Sequence, residues 1–444
     1  MPKRTIVRGA AVVTMDDALG DFSSADILIE DGAIAAVGPS LEAAGAEAID
    51  GSGMIALPGI VDAHTCLWQT VLRGHVPDLW QGTYNTALLP LRRRYCAEDN
   101  FNAAYVGSFE MLSYGTTTVV DYCHNIRAPG YAEASLEALK TTGIRHLFTY
   151  SFMSAHPDDF PGSPSRFDDA RAVYDRYHDP AGLTDIGFGV DSIGGAGLEK
   201  QLAFARSLKA PSCIHVNETG TIDKLHAAGL LGPDLLVIHG NLITNSELEL
   251  MAKARMPICF TPSADVQGTP ADVVRRAADR GVEVVFGCDI PCSVASDTLG
   301  QLRIMFNVQG FLDGAMERSF STVIGRRPPV RPGVPLLTPR RLIETATIGA
   351  ARVLGLDDRI GSLTPGKRAD LVLIRKGPFG DSVARDACAH VLLQTSPREV
   401  DTVIVDGKVR MKGGVLAGFD PDRAAAMIRS SRGRILGEKG ATRP

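Results

Sequence analysis

The sequence predicts an α/β fold: a (β/α)8 TIM barrel carrying a small β-sandwich-like composite domain formed by both termini. Three observations predict it. At 444 residues the chain exceeds what one small core absorbs and suits a large barrel with an appended domain. Short β-rich runs fill the first fifty-odd residues and return near the end. Between them, apolar strand-like runs alternate with helical stretches over a length near the roughly 250 residues plus insertions of a (β/α)8 barrel.

The opening runs are "TIVRGAAVVTM", "ADILIEDGAIAAVG" and "EAIDGSGMIALPG", broken by Asp-Gly and Gly-Ser turn signals and without helical periodicity. Their counterparts are "GSLTPGKRADLVLI" and "VDTVIVDGKVRMKGGV". Neither set buries a face alone, so residues 1–56 and 361–418 are expected to form one β domain. Residues 57–360 form the expected barrel, with helices such as "LEKQLAFARSLKA" and "PADVVRRAADRG". Residues 419–444 read as an Asp-capped helix and a polar tail.

Composition narrows the partners. The chain is 45% hydrophobic and 22% charged, with a formal net charge of -5. That balance gives no basic footprint for nucleic acid or an anionic membrane surface, which leaves a small molecule as the expected partner. No apolar run approaches a membrane span, and "MPKRTIVRGAAVV" is too strand-like for a secretory signal. Eight cysteines without C-x-x-C spacing suit a reduced compartment. A cytoplasmic homo-oligomer is expected.

Candidate strands in the middle end in groups that bind metals or move protons. "PGIVDAHTC" ends in His64 and Cys66, "APSCIHVNET" carries His215 and Glu218, "DLLVIHG" ends in His239 and "VEVVFGCDIP" ends in Asp289. One βα unit averages about 31 residues, so the spacings place these groups on strands one, five, six and eight, at the carboxyl rim where barrels build active sites. Any one of these histidines alone reads best as a structural residue; the joint pattern points to a site. His124, after the second strand, is open between substrate contact and structural residue. His75, His146, His156, His178, His226 and His390 read as helix or loop residues, and "RRR" at 92–94 as a solvated helix face.

The stretches "GMIALPGIVDAHTCLWQTVLRG", "SYGTTTVVDY", "IHVNET", "VIHGNLIT", "GCDIPCSVASDTL", "TATIGAARVLGL" and "IGSLTPGKRADLVLI" resemble the amidohydrolase superfamily, in its branch of cytosine-deaminase-like, guanine-deaminase-like and chlorotriazine-hydrolase-like enzymes. The resemblance implies a metal-dependent hydrolase of a C–N bond, a deaminase or cyclic amide/amidine hydrolase acting on a small cyclic or heteroaromatic substrate. It implies one divalent metal, zinc first, with iron or no metal as alternatives. By position the ligands would be His64, Cys66, His215 and Asp289. Glu218 would shuttle protons, His239 would polarise water or substrate, and Asp289 would also orient the water. Gln69 and Trp68 resemble substrate-facing positions, with rim packing as the other reading of Trp68.

Departures from the family pattern cluster at the site. Cys66 stands where the family has its second His. "GFGVDSIGGAG" puts Asp191 and Ser192 where a pocket-lining Pro-His pair is usual, and after strand six a Pro-Arg-Ser-Asn-like turn has become "TPSADVQG". A thiolate is a good ligand for zinc, but its sulfur lies nearer the backbone than a distal imidazole nitrogen, so reaching a shared metal would require movement. Three roles stay open for Cys66: metal ligand, neutral pocket residue, or nucleophile activated by His64 or His239. Two alternatives accompany them, a metal-independent enzyme performing elimination, isomerisation or transfer, and a non-catalytic binding barrel.

Overall fold

A computed structural model describes residues 4–78, 82, 84–153, 159–160, 165–190, 197–267, 272–324, 337–377 and 386–437, with side chains of the long helix Thr298–Ile324 described as far as residue 312. Eight parallel strands follow one another in sequence order around a barrel: Ile60–Thr65, Thr116–Cys123, Arg145–Ser151, Thr184–Gly189, Ser212–Val216, Leu235–His239, Ile258–Phe260 and Val284–Phe286. The first three are buried at every position, as a parallel sheet covered on both faces requires. Helices between them present apolar stripes inward. In Tyr131–Thr142, for example, Ala132, Leu136 and Leu139 are buried and Gly143 ends the helix in the left-handed region at φ 71°.

The seam between the first and eighth strands closes through backbone contacts at their carboxyl ends. Thr65 and Asp289 form a parallel bridge; the Asp289 amide donates to the His64 carbonyl at 2.9 Å and the Cys66 amide to the Asp289 carbonyl at 2.8 Å. The approach is close enough that a Cβ on Gly287 would lie 2.3 Å from the His64 carbonyl oxygen and 2.6 Å from its nitrogen. Backbone cannot yield, so only glycine fits there. Asp62 cross-links the same seam: it accepts from the His64 amide at 3.1 Å, Thr65 Oγ1 at 2.7 Å, the Cys288 amide at 3.0 Å and Thr298 Oγ1 at 2.9 Å.

Strands from both ends of the chain hydrogen-bond in a second sheet of nine strands. Met54–Pro58 is its junction, parallel to Arg4–Val12 and antiparallel to Leu371–Arg375. The Asp-Gly pairs at 31–32 and 406–407 all have positive φ, and the two turns touch: a Cβ on Gly407 would meet Gly32 Cα at 2.3 Å. The buried Arg145–Asp370 ion pair, 2.7 Å, ties this sheet to the third barrel strand. The later segment also contains the helix Ala387–Gln394. Asp420 caps the helix Pro421–Leu436, accepting from the amides of Asp422 and Arg423. That helix lies on the first barrel helix through the Arg434–Asp99 ion pair and an Asn102–Ser431 hydrogen bond of 3.0 Å.

Several expectations need correction. His146 lies inside the third barrel strand, buried, where helix or loop was expected. "TPSADVQG" follows the seventh strand, Ile258–Phe260, rather than the sixth. The "RRR" run is not a uniformly solvated face: Arg93 and Arg94 are exposed, whereas Arg92 is 1% exposed. His156 lies outside the described residues. All eight cysteines are free, and no described helix is long and apolar enough to cross a membrane.

Candidate active site

The seam that closes the barrel also assembles the site. His64 and Cys66 alternate onto one side of the strand end, and the backbone bridge brings Asp289 against them. His64 Nε2 lies 3.3 Å from Asp289 Oδ1. Cys66 Sγ lies 3.9 Å from each of these atoms. The three donor atoms fall within 4.8 Å of one another. A tetrahedral zinc site, with bonds of about 2.0–2.1 Å to N or O and about 2.3 Å to S, spaces such donors about 3.3–3.6 Å apart. The donor set therefore fits, and the expected shortfall in the reach of Cys66 is small. His215 is the neighbouring imidazole, its ring centroid 5.1 Å from that of His64.

Charge is arranged to match. Burial drives the His64 imidazole down to about 4 despite the adjacent Asp289, so it is neutral. Burial pushes the Asp289 carboxyl up, but the hydrogen bond from His64 and the imidazoles of His239, His64 and His215 outweigh it and hold it below the usual carboxylate range. Burial, then the charges of Asp289 and Asp121, push the Cys66 thiol up. A neutral imidazole and a carboxylate are ready ligands, while the thiol must shed its proton to become one.

A cavity of about 330 Å³ opens above this cluster, lined by His124, His215, His239 and Asp289 together with Tyr84, Asn217, Asn241 and Asp265 among others. His239 (φ 71°) and Asp289 (φ 64°) both occupy the left-handed region at their strand ends. Such strain in non-glycine residues persists only where the surroundings impose it, and here it re-aims two site side chains. His239 Nδ1 is 3.0 Å from Asp265 Oδ1 and 3.1 Å from Thr261 Oγ1. Because a carboxylate only accepts, Nδ1 carries a hydrogen, and in the neutral ring the lone pair is then on Nε2. Asp265 is itself fixed by the Thr261 amide at 2.7 Å and by Asn241 Nδ2 at 2.7 Å.

His124 lines the cavity, its Nδ1 3.7 Å from Cys66 Sγ and its Nε2 3.1 Å from the Tyr84 hydroxyl. Gln69 and Trp68 do not line it. Gln69 is fully buried, donates to the Tyr84 hydroxyl at 3.1 Å and accepts from the Cys292 thiol at 3.1 Å. Trp68 packs edge-on against His124 and Tyr95, the rim-packing alternative. Glu218 is exposed on the loop after the fifth strand, and Asn217, two positions from His215 and also exposed, is the residue of that loop that lines the cavity. Asp191 and Ser192 lie outside the described residues. Sequence reasoning missed Tyr84, Asn217 and Asn241, which sit in connections without a periodic pattern. It flagged the Asp265 turn without assigning Asp265 a role.

Comparison with known proteins agrees with this architecture. The chain is 28% identical to a 5-methylthioadenosine/S-adenosylhomocysteine deaminase from Symbiobacterium thermophilum, covering 98% of this chain and all of the relative. It is 23% identical to a 5'-deoxyadenosine deaminase from Methanosarcina acetivorans, covering 98% and 99%. Among solved structures, a zinc-bound adenosine deaminase from Xanthomonas campestris superposes with a TM-score of 0.82 at 21% identity, covering 98% of each chain. The zinc complex of atrazine chlorohydrolase from Arthrobacter aurescens TC1 gives 0.81 at 23% identity, covering 96% of this chain and all of the other. These last two likenesses speak to the fold. Residues 55–410 match the model of the amidohydrolase family, and the chain belongs to that family.

Proposed function

We propose that this chain is a zinc-dependent deaminase of a small nitrogen heterocycle, with His64, Cys66, His215 and Asp289 as metal ligands. Membership of the family makes it a hydrolase of carbon–nitrogen bonds. Deamination is the form of that reaction named for its curated relatives. One observation carries the reading for this chain: the Cys66 sulfur, in the place of an imidazole, stands 3.9 Å from both His64 Nε2 and Asp289 Oδ1. When bound there, a divalent metal supplies Lewis acidity that brings the ionisation of water towards neutral pH.

The chain's own groups do the rest. Asp289 holds its charge and accepts a hydrogen bond from the attacking water. His239, oriented by Asp265, offers Nε2 to take or return a proton at the reacting carbon's substituents. Glu218, one residue past cavity-lining Asn217, takes a proton from the attacking water once its side chain turns inward and passes it to the nitrogen that leaves as ammonia when the C–N bond breaks. His124 and Tyr84 form a hydrogen-bonded wall against the ring, with Gln69 holding the Tyr84 hydroxyl from behind and Trp68 packing His124. Asp191 and Ser192 belong to the proposal only as pocket residues read from sequence.

The metal-free alternative, with Cys66 as nucleophile, finds less support, because burial and the Asp289 charge keep an unmetallated sulfur protonated. A cytoplasmic homo-oligomer completes the proposal, and light scattering checks the oligomer. The deciding experiment is metal analysis of purified protein combined with ammonia release from adenosine, 5'-deoxyadenosine, 5'-methylthioadenosine, cytosine and aminotriazines. We expect zinc rather than iron, and turnover lost in chelator and restored by zinc. Full turnover in chelator would sink the proposal.

A further inference from the structure

The "RRR" run ends the connection from the first barrel strand to the helix Ala97–Ser113, and its first member behaves unlike the others. Arg94 gives Nη1 to the Ile435 carbonyl at 2.9 Å. Arg92 is among the largest fully buried side chains. Its Nη1 lies 3.8 Å from Met153 Sδ, a weak acceptor. Its Nε and Nη2 are buried with no hydrogen-bond partner among the described residues. Burying a guanidinium without a counter-charge is strongly unfavourable.

The acid that acts on it, Asp159, is shared with other cations. Asp159 accepts from Arg127 Nε at 2.8 Å. Arg166 spends Nη1 on the carbonyls of Ser151 and Met153, and its own Nη2 is buried without a hydrogen-bond partner among the described residues. Asp159 thus faces the cations of Arg92, Arg127 and Arg166. Burial lowers Arg92 to about 10, which leaves it charged at neutral pH.

The chain displays elsewhere what the unpartnered edge holds. Arg145 grips Asp370 through Nε at 2.7 Å and Nη2 at 3.1 Å, and Arg206 grips Asp234 through the same two nitrogens at 2.7 and 3.1 Å. In Arg92 that side-on fork is the pair without a partner. Met153, which its Nη1 touches, lines the candidate catalytic cavity, as does Tyr84, another electrostatic neighbour of Arg92.

We infer that Arg92 anchors a carboxylate of the substrate, so that the enzyme acts on a heterocycle bearing an acidic side group. This rests on reading the cavity as the catalytic one. The two parallel N–H bonds match the two carboxylate oxygens, and the flexible thioether of Met153 moves aside to admit them. The ring then lies along Tyr84 and His124, with its reacting carbon towards His239 and Asp289.

Matched probes that differ only in that group test the inference on the metal-loaded enzyme: nicotinate against nicotinamide, orotate against uracil, and adenosine 5'-carboxylate against adenosine. Calorimetric Kd values for wild type are expected to favour the carboxylate in at least one pair by about 10–100-fold, the range of a charge-assisted hydrogen-bonded pair. Arg92→Met, which keeps the volume, should bring that ratio close to one, and Arg92→Lys should leave an intermediate value. Without ligand, Arg92→Met should melt at or above the wild-type Tm, since it removes a buried charge whose acidic neighbour is shared with two other cations. Equal binding within every pair, no binding of any carboxylate at millimolar concentration, tighter binding of inorganic phosphate than of any carboxylate, or a large Tm loss in Arg92→Met would each overturn the anchor. The deaminase reading fails separately. If no substrate releases ammonia while the Arg92-dependent preference persists, the anion site stands alone; if ammonia is released with no such preference, only the anchor falls.

Discussion

Replacing Cys66 by Ser tests whether the altered family position is a ligand. Cys66 is 1% exposed, and its sulfur stands 3.9 Å from both His64 Nε2 and Asp289 Oδ1. A serine oxygen sits closer to its own Cβ, hence farther from both partners, and does not ionise to an anionic donor at neutral pH. Four-ligand structural zinc sites bind with about 10–16 kcal/mol, so one ligand accounts for about 3 kcal/mol, or about 10²-fold in Kd. Stripped wild type and Cys66→Ser, titrated with zinc in competition with a chromophoric chelator, should therefore differ by about two orders of magnitude in Kd. Turnover of the variant should recover in excess zinc. Melting curves of the stripped proteins act as a control, because a buried hydroxyl changes apo stability without reference to metal. Equal zinc affinities in the two proteins, or a wild type that binds no zinc, would refute the assignment of Cys66 and return the metal-independent reading.

Two further predictions concern groups behind the site. Asp265→Asn puts an amide where His239 Nδ1 donates at 3.0 Å, so kcat should fall about 10–100-fold with little change in KM or Tm; an equal loss in Tm would make Asp265 structural only. Asp121 is buried and raised from 3.8 to about 7, by burial against one hydrogen bond from the Leu67 amide. The folded state therefore holds a proton that the unfolded state releases. The resulting penalty is absent below pH 3.8, grows up to about pH 7 and is constant above it. The stability of Asp121→Asn relative to wild type, from urea unfolding, should thus rise by about 2.5 kcal/mol between pH 5 and pH 8, and a pH-independent difference would refute the shift.

What the sequence revealed divides along physical lines. Strand ends were legible because apolar β runs stop sharply at polar groups, and counting units from His64 to Asp289 put the four on strands one, five, six and eight, where the structure has them. The Asp-Gly turns at 31–32 and 406–407 were legible because few sequences tolerate positive φ at consecutive positions. The cavity wall was not. Tyr84 comes from an irregular connection, and Trp68 and Gln69, though adjacent to Cys66, turn into packing because the short 3-10 helix Leu67–Leu72 ends strand alternation. The burial of Arg92 beside two exposed arginines follows from tertiary packing, to which charge patterning is blind.

The position of Cys66 gains sense from the seam. The first and eighth strands meet through Asp289 and through the close passage of Gly287 along His64, so the backbone that closes the barrel also sets the distances among the three donors. An imidazole at position 66 would occupy more of the space now shared with His124 Nδ1 at 3.7 Å. The shorter thiol leaves His124 against the cluster and hydrogen-bonded to Tyr84 on the cavity wall. One substitution therefore changes both the donor set and the shape of the pocket above it. On the proposed assignment a cation held at the seam would also join the two ends of the barrel sheet, so Cys66→Ser should lower the Tm of the zinc-loaded protein more than that of the stripped protein.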